Sequence, residues 1–184
     1  AILRLLLFIR YAMSTARRNL EVKARCGDLA RARQVVQELC GPPRVEHQVD
    51  TYFQVPRGRL KLREIDGQEA ALIAYERSNE AATRLSHYHL VPVPDPDGLK
   101  TALAMTLGLR GQVRKRREIS LHHHVRIHLD EVDGLGSFLE LEAVLKEGEA
   151  ADDSAARLDD LLARLAVGPR DFLAVSYADL LGLA

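Results

Sequence analysis

The feature that most constrains the fold is an alternation of apolar and polar side chains with a period of two residues. In the segment NLEVKAR, Leu20 and Val22 alternate with Glu21 and Lys23. Similar extended segments are HQVDTYF, RLKLREI, AALIAYER, SHYHLVPV, GQVRKRREI, VRIHLDEV and SFLELEAVL. A period of two is that of a β-strand whose two faces meet different surroundings. The chain of 184 residues therefore predicts about eight strands in a mostly antiparallel sheet.

Three other stretches carry apolar residues at helical spacing. Asp28 is placed to cap the first helix, which Gly41 ends. The second is PDPDGLKTALAMTL, and the third lies in the tail, where Pro169 is predicted to begin a further helix through Leu181. The apolar stripes are Leu29, Ala32, Val36 and Leu39; Leu99, Leu103 and Leu107; and Leu158, Leu161, Leu162 and Leu165. Helices inserted among antiparallel strands are typical of the α+β class.

The beginning of the chain differs from the rest. Its first twelve residues, AILRLLLFIRYA, are apolar but carry Arg4 and Arg10, and the stretch is too short to span a bilayer. We predict that residues 1–13 are an extension outside the fold, that residues 14–184 form a single domain, and that no membrane is involved. A membrane-surface anchor is the alternative. Two cysteines without a disulfide framework are typical of a reducing compartment, so we expect a cytoplasmic protein.

The net charge gives no sign of a nucleic-acid partner. Lys plus Arg and Asp plus Glu both number 26, whereas nucleic-acid-binding domains usually have a basic excess. The basic run from Arg114 to Arg117 is divided between two faces by strand alternation. We therefore expect no nucleic acid among the partners.

The polar faces of the strands are heavily ionic, and they are partly sorted by sign. They carry Lys61 with Arg63, Lys115 with Arg117, Glu140 with Glu142, and Arg126 with His128 and Asp130. Two architectures fit this pattern: an open sheet that shows the charges to water, and a barrel that encloses them. Clustered Lys and Arg side chains repel one another unless an anion lies between them. The sorting by sign therefore favours the enclosed site.

The residue types also indicate the ligand of such a site. Guanidinium forks and ammonium groups match the oxygens of phosphate. Carboxylates in the same cavity would repel a phosphate unless they hold a hard divalent cation such as Mg²⁺ or Mn²⁺. The pattern therefore predicts a site for a metal ion and a polyphosphate.

The motifs NLEVKAR, HQVDTYF, GRLKLRE, VRKRRE and VRIHLDEVDGLGSFLELE, in this order, resemble the CYTH superfamily of triphosphate tunnel metalloenzymes. The resemblance runs from about Asn19 to Leu181. It implies an eight-stranded antiparallel β-barrel whose lumen binds triphosphate, with amphipathic helices packed outside. It implies an enzyme that depends on Mg²⁺ or Mn²⁺ and acts on ATP, tripolyphosphate or thiamine triphosphate. The activity would be that of a class IV adenylate cyclase or of a triphosphate hydrolase, in a monomer or homodimer.

The resemblance also implies roles for individual residues. Glu21 and Lys23 occupy the second and third places of the signature ExExK and would be catalytic. The triphosphate ligands would be Lys23, Lys61, Arg63, Lys115, Arg117 and Arg126. The metal ligands would be Glu21, Asp130, Glu140 and Glu142. His128 and Tyr52 lie on the same strand faces, where each is either a wall residue or a contact to substrate.

Two positions depart from the family pattern. Asn19 stands at the first place of ExExK and brings no charge, and Glu76 stands where many relatives have a lysine. These departures motivate an alternative function, a nucleotide- or polyphosphate-binding module with impaired catalysis. A third possibility is an ordinary sheet protein whose ionic face is solvated.

Overall fold

The computed structural model describes residues 17–145 and 152–183. Its strands are β1 (Arg17–Arg25), β2 (Arg44–Phe53), β3 (Arg59–Ile65), β4 (Glu69–Arg77), β5 (Arg84–Pro92), β6 (Leu109–His122), β7 (Val125–Val132) and β8 (Gly136–Leu145). Its helices are α1 (Leu29–Cys40), α2 (Pro96–Leu107), α3 (Asp152–Arg164) and α4 (Tyr177–Leu180), with a 3₁₀ turn at Pro169–Asp171. The predicted extension, residues 1–13, lies outside the described residues and stays a prediction.

The eight strands form one closed antiparallel barrel, in the order β1-β5-β4-β3-β2-β6-β7-β8. Closure occurs at β1, where Glu21 lies opposite Arg84 of β5 on one side and opposite Glu142 of β8 on the other. The predicted α+β barrel is therefore confirmed. The alternative of an open sheet with a solvated ionic face is wrong.

The two faces of the strands pack against different partners. Apolar residues on the outer face of β1, β7 and β8, among them Val22, Ile127 and Leu141, form a core with Leu158 and Leu161 of α3. Helix α1 contributes to the same core, and α2 packs against a smaller cluster on β2, β3 and β4. The alternate positions face the lumen. A two-residue period thus serves two environments, an apolar one outside the barrel and an ionic one inside it.

Two helices begin at an aspartate cap, of which the sequence predicted the first. The side chain of Asp28 accepts a hydrogen bond from the backbone N–H of Arg31 at the start of α1, and Gly41 follows the end of that helix with φ of 76°. Asp95 caps α2 in the same way, with Pro96 as the first helical residue. In both helices a side-chain oxygen satisfies an N–H group that has no partner within the helix.

The predicted helix from Pro169 through Leu181 is wrong in its extent. Pro169 begins only a 3₁₀ turn, and a helix forms again only at Tyr177–Leu180. Between them the chain follows β1: Phe172 forms a β-bridge with Ala24, and the N–H of Leu173 donates to the carbonyl of Lys23 at 2.8 Å. These backbone hydrogen bonds to the barrel replace those of a continuous helix.

Residues 172–183, which we call the C-terminal plug, cover one end of the barrel. Tyr177 packs against Tyr52, Val113, Val132 and Phe138, and its ring lies 4.8 Å from that of Phe138. Those four residues stand near the end of β2, the start of β6, the end of β7 and the start of β8, which meet at the same end of an antiparallel barrel. The plug therefore covers the end of the lumen at which these strand ends meet.

Among the described residues, no helix has both the length and the apolar character needed to cross a membrane.

Candidate functional site

A cavity of about 310 Å³ occupies the barrel lumen. Nine of the ten residues predicted for the site line it: Glu21, Lys23, Lys61, Arg63, Lys115, Arg117, Arg126, Glu140 and Glu142. The tenth, Asp130, is fully buried behind Arg117. The strand alternation therefore placed the predicted residues on one common surface.

Three of the predicted phosphate ligands converge on a carboxylate that was not predicted as a site residue. The oxygens of Asp50 accept hydrogen bonds from Lys61 Nζ at 3.0 Å and Lys115 Nζ at 2.8 Å. Arg63 donates to the same carboxylate from Nε at 2.7 Å and from Nη2 at 2.8 Å. We call these four residues the Asp50 group. Three cations share one carboxylate, so the group carries an excess of positive charge.

Burial and mutual repulsion shift the pKa values of this group. Burial alone would raise the pKa of Asp50, but Arg63, Lys115 and Lys61 hold it well below its usual range. Burial, with repulsion from Arg63, lowers the pKa of Lys61 to about 8. The pKa of Lys115 is also well below its usual value, because burial outweighs the attraction of Asp50. Bringing an anion into this group would favour the protonated form of both lysines.

Arg117 connects the basic side of the lumen to the acidic side. Its guanidinium donates to both oxygens of Asp130, at 2.7 and 2.6 Å, and to Glu140 at 2.8 Å. Tyr177 of the plug donates its hydroxyl to Asp130 at 2.8 Å. The carboxylate of Asp130 thus accepts three hydrogen bonds, which hold the Arg117 guanidinium in position. Its role as a metal ligand stays a prediction.

A cation could be held, among the residues that the structure describes, by Glu140, Glu142 and His128. One ligand atom from each lies within 4.8 Å of the others. Burial and the nearby Arg117 lower the pKa of His128, which favours the neutral imidazole that metal ions require. Two carboxylates and an imidazole nitrogen fit a divalent cation such as Mn²⁺, and Mg²⁺ would use the carboxylates. We call these three residues the His128 group.

Glu21 lies near the His128 group, and its pKa is shifted in the opposite direction to that of Glu140. Burial raises the pKa of Glu21, and repulsion from Glu140 and Glu142 raises it further. In contrast, Lys23 and Arg117 hold the pKa of Glu140 well below its usual range, although burial opposes them. Lys23 Nζ lies 3.1 Å from Glu140, and Arg126 Nη2 lies 2.8 Å from Glu142. Among these carboxylates, Glu21 is the one most disposed to accept a proton.

The two departures from the family pattern have different structural settings. Asn19 is buried in the lumen, and its amide oxygen accepts a hydrogen bond from Arg126 at 3.0 Å when the amide is oriented to satisfy both of its groups. Glu76 lies on the exposed outer face of β4, 3.5 Å from Arg57. The neighbouring residue, Arg77, faces the lumen instead. The departure at Glu76 therefore leaves the lumen unchanged.

The sequence reasoning missed two basic residues beside Glu21. Arg77 Nε lies 3.7 Å and Arg84 Nε lies 3.4 Å from the same carboxylate oxygen. Both stand at the ends of their strands, and both also donate to carbonyls of residues 173–174 at the plug. These two residues could have been found from the alternation of side chains along β4 and β5, because it places Arg77 and Arg84 on the lumen side.

Fold and cavity together define a closed antiparallel barrel with an enclosed ionic lumen. The family model for the CYTH domain matches residues 17–177, and the chain belongs to that family. No curated protein sequence matches the chain.

Several solved structures have the same fold. The PH1012 protein of Pyrococcus horikoshii OT3 has a TM-score of 0.77 and 24% identity, over 88% of this chain and 98% of that one. The PH1819 protein of the same organism has a TM-score of 0.68 and 27% identity, over 89% and 97%. A candidate adenylate cyclase from Vibrio parahaemolyticus has a TM-score of 0.71 and 20% identity, over 89% and 97%.

Proposed function

We propose that this protein is a metal-dependent enzyme that acts on a triphosphate compound inside the barrel. The observation that supports this best is the presence of two groups in one cavity: the positively charged Asp50 group and the His128 group. A bound polyphosphate would neutralise the positive charge of the Asp50 group, and a divalent cation would neutralise the carboxylates of the His128 group. Membership of the CYTH family and the likeness in fold to a candidate adenylate cyclase support the same assignment.

In this proposal each part of the lumen has a separate task. Lys61, Arg63 and Lys115 bind the phosphate chain, and Arg117 binds it where the chain approaches the acidic side. A cation held by Glu140, Glu142 and His128 would neutralise charge on the phosphate oxygens when bound. Glu21, with its raised pKa, accepts the proton of the attacking oxygen.

Two reactions are compatible with this arrangement. In hydrolysis a water oxygen attacks a phosphorus atom, and the remaining phosphate or nucleotide leaves. In cyclisation the 3′-hydroxyl of ATP attacks the α-phosphorus, and pyrophosphate leaves. The attacking oxygen gives its proton to Glu21 in either case. A binding module without turnover is the second candidate, because Asn19 brings an uncharged amide to the place of a carboxylate.

The experiment that tests the proposal compares products and variants. Purified protein is incubated with Mg²⁺ or Mn²⁺ and with ATP, tripolyphosphate or thiamine triphosphate, and the products are separated by ion exchange. We expect turnover of at least one compound. Glu142→Gln should lower it at least about 100-fold, since changes even behind a metal ligand cost about 10–100-fold.

Glu131→Gln provides the matched control, because Glu131 lies exposed on the outer face of β7, where it pairs with Arg33 and Arg116. Its turnover should equal that of the unchanged protein. Metal-independent binding without any product would favour the binding module. Equal turnover in Glu142→Gln and the unchanged protein would contradict the claim that a metal ion bound by Glu142 is needed for the reaction.

The pKa of Lys61 gives a prediction for binding without turnover. At a pKa of about 8, Lys61 is mostly protonated at pH 7 and mostly neutral at pH 9. A bound anion raises this pKa, so binding takes up a proton and weakens as the pH rises through 8. In metal-free buffer, the affinity for tripolyphosphate measured by calorimetry should fall about tenfold more between pH 7 and pH 9 than it does in Lys61→Arg.

Lys61→Arg is the suitable reference because arginine keeps its charge over this range. Titration of the ligand itself contributes equally to both curves. Parallel curves for the two proteins would show that Lys61 takes no part in binding the anion.

A further inference from the structure

One side chain of the C-terminal plug reaches the predicted site. Tyr177 lines the lumen and is only 3% exposed. The ammonium group of Lys23, one of the predicted phosphate ligands, lies 3.7 Å from the centre of its ring. A cation this close to an aromatic face is attracted by the electrons of the ring, and the attraction is stronger where water is excluded. Tyr177 therefore holds Lys23 without adding a charge to the lumen.

The hydroxyl of Tyr177 acts on a second cation through Asp130. It donates to Asp130 Oδ2 at 2.8 Å, and Arg117 donates to the same oxygen at 2.6 Å. All three side chains are buried. The additional donor fixes the carboxylate that aligns the Arg117 guanidinium. The ring and the hydroxyl of one residue thus contact the surroundings of two predicted phosphate ligands.

These contacts form a closed loop, which Glu140 completes. Lys23 Nζ lies 3.1 Å from one oxygen of Glu140, and Arg117 Nη2 donates to the other oxygen at 2.8 Å. Glu140 also belongs to the His128 group, so its carboxylate would be shared with a bound cation and would then hold Lys23 and Arg117 less firmly. Tyr177 is not part of that group. Its contacts would keep both side chains in place while Glu140 serves as a metal ligand.

The local sequence fixes the position of Tyr177. Ser176 and Asp179 form a capping box: Ser176 Oγ accepts a hydrogen bond from the N–H of Asp179 at 3.2 Å, and the Asp179 carboxylate accepts one from the N–H of Ser176 at 2.8 Å. The Asp179 carboxylate also lies 3.5 Å from Arg59 at the start of β3. Tyr177, the first residue of α4, is thereby anchored to the barrel wall.

We infer that Tyr177 is a positioning residue, which holds Lys23 through its ring, and Arg117 through Asp130, in the places where they bind phosphate. This inference rests on the proposed function and goes beyond it, because it makes the C-terminal plug part of the site. Side chains that are already held lose less conformational freedom when they bind a ligand. Ordering one long side chain costs about threefold in affinity, so two loosened cations should cost about tenfold.

The test separates the two contacts of Tyr177. The affinity for tripolyphosphate is measured by calorimetry in metal-free buffer, where binding is observed without turnover. Tyr177→Phe keeps the ring and loses the hydroxyl, so only Arg117 is loosened and the affinity should fall about threefold. Tyr177→Leu loses both contacts, and the affinity should fall about tenfold. Phenylalanine should thus restore the part of the affinity that depends on the ring.

A double-mutant cycle shows whether the ring acts through Lys23. In a protein that carries Lys23→Met the ammonium group is absent, so Tyr177→Leu should cost no more affinity than Tyr177→Phe does. Trifluorophenylalanine in place of Tyr177 keeps the shape of the phenylalanine ring but withdraws electrons from its face, which weakens the attraction for a cation. It should bind tripolyphosphate as weakly as Tyr177→Leu, and it provides the same comparison if the leucine variant does not fold.

Leu181→Ala is the matched control, because Leu181 packs in the same apolar cluster as Tyr177 and lies outside the cavity lining. It should lower the melting temperature and leave the affinity for tripolyphosphate unchanged. An equal fall in affinity in Leu181→Ala and Tyr177→Leu would mean that only the packing of the plug matters, and the inference would be wrong. It would also be wrong if the Tyr177 variants bind as tightly as the unchanged protein, while the proposed function stands. If tripolyphosphate does not bind to the unchanged protein, the proposed function itself fails.

Discussion

Asp130→Asn is expected to lower the free energy of unfolding by about 3–5 kcal/mol, the cost of breaking a buried ion pair from one side. The substitution hardly changes the volume, but it removes the charge that balances Arg117. Asp130 is fully buried and accepts both hydrogen bonds of the Arg117 fork as well as that of Tyr177. An asparagine would also turn an amide donor toward one of these donors. Denaturant unfolding at pH 7, followed by circular dichroism, measures the loss.

Asp160→Asn is the matched control for this change. Asp160 pairs with Arg164 at 2.8 Å on the exposed face of α3, one helical turn away. Such pairs contribute about 0.3–0.5 kcal/mol, so the variant should be almost as stable as the unchanged protein. If the two variants lose the same amount of unfolding free energy, then burial does not set the strength of the Arg117–Asp130 pair.

The alternation of side chains predicted the strands and their faces because it is a local property of the sequence. Each strand shows its own period, whatever its partners are. The closure of the sheet is not local: it depends on β1 meeting both β5 and β8, each of which begins more than fifty residues after the end of β1. The two-residue period fits the open sheet and the barrel equally well, and it was the sorting of charges by sign, together with the family resemblance, that favoured the barrel.

The pairing of charges inside the barrel could not be predicted for the same reason. The family resemblance placed Asp130 with Glu140 and Glu142 around a metal ion, whereas the register of β6 against β7 sets Asp130 opposite Arg117. Asp50 appeared in a motif but gained its importance only when three strands brought Lys61, Arg63 and Lys115 to it. A list of lumen residues follows from period alone, but their partners follow from register.

A shift of one residue separates the lumen from the outer surface. The resemblance to the family drew attention to Glu76 as a departure from the family pattern. The side chain of Glu76 faces outward, however, and Arg77 takes the lumen position. The C-terminal tail shows a related limit of prediction from local sequence. Pro169 is a good first residue of a helix, but the backbone of Leu173 bonds to β1 and leads the chain across the end of the barrel.

The second large effect is expected at Asp50, where a carboxylate stands among the groups proposed to bind phosphate. Asp50→Asn should destabilise the ligand-free protein by about 3–5 kcal/mol, because Lys61, Arg63 and Lys115 lose their common counter-charge while remaining buried. Tripolyphosphate should restore much of this stability, since its oxygens supply the missing negative charge. The gain in melting temperature on adding tripolyphosphate should therefore be larger in Asp50→Asn than in the unchanged protein.

Thermal unfolding in metal-free buffer, with and without tripolyphosphate, measures both parts of this expectation. Asp97→Asn is the matched control: Asp97 is exposed, and its contact with Lys100 is a weak surface pair. It should change neither the melting temperature nor the gain. If tripolyphosphate stabilises Asp50→Asn no more than it stabilises the unchanged protein, then the anion does not bind at these three cations. The excess charge of the Asp50 group would then have to be balanced within the barrel itself, and the case for a phosphate guest at this place would be lost.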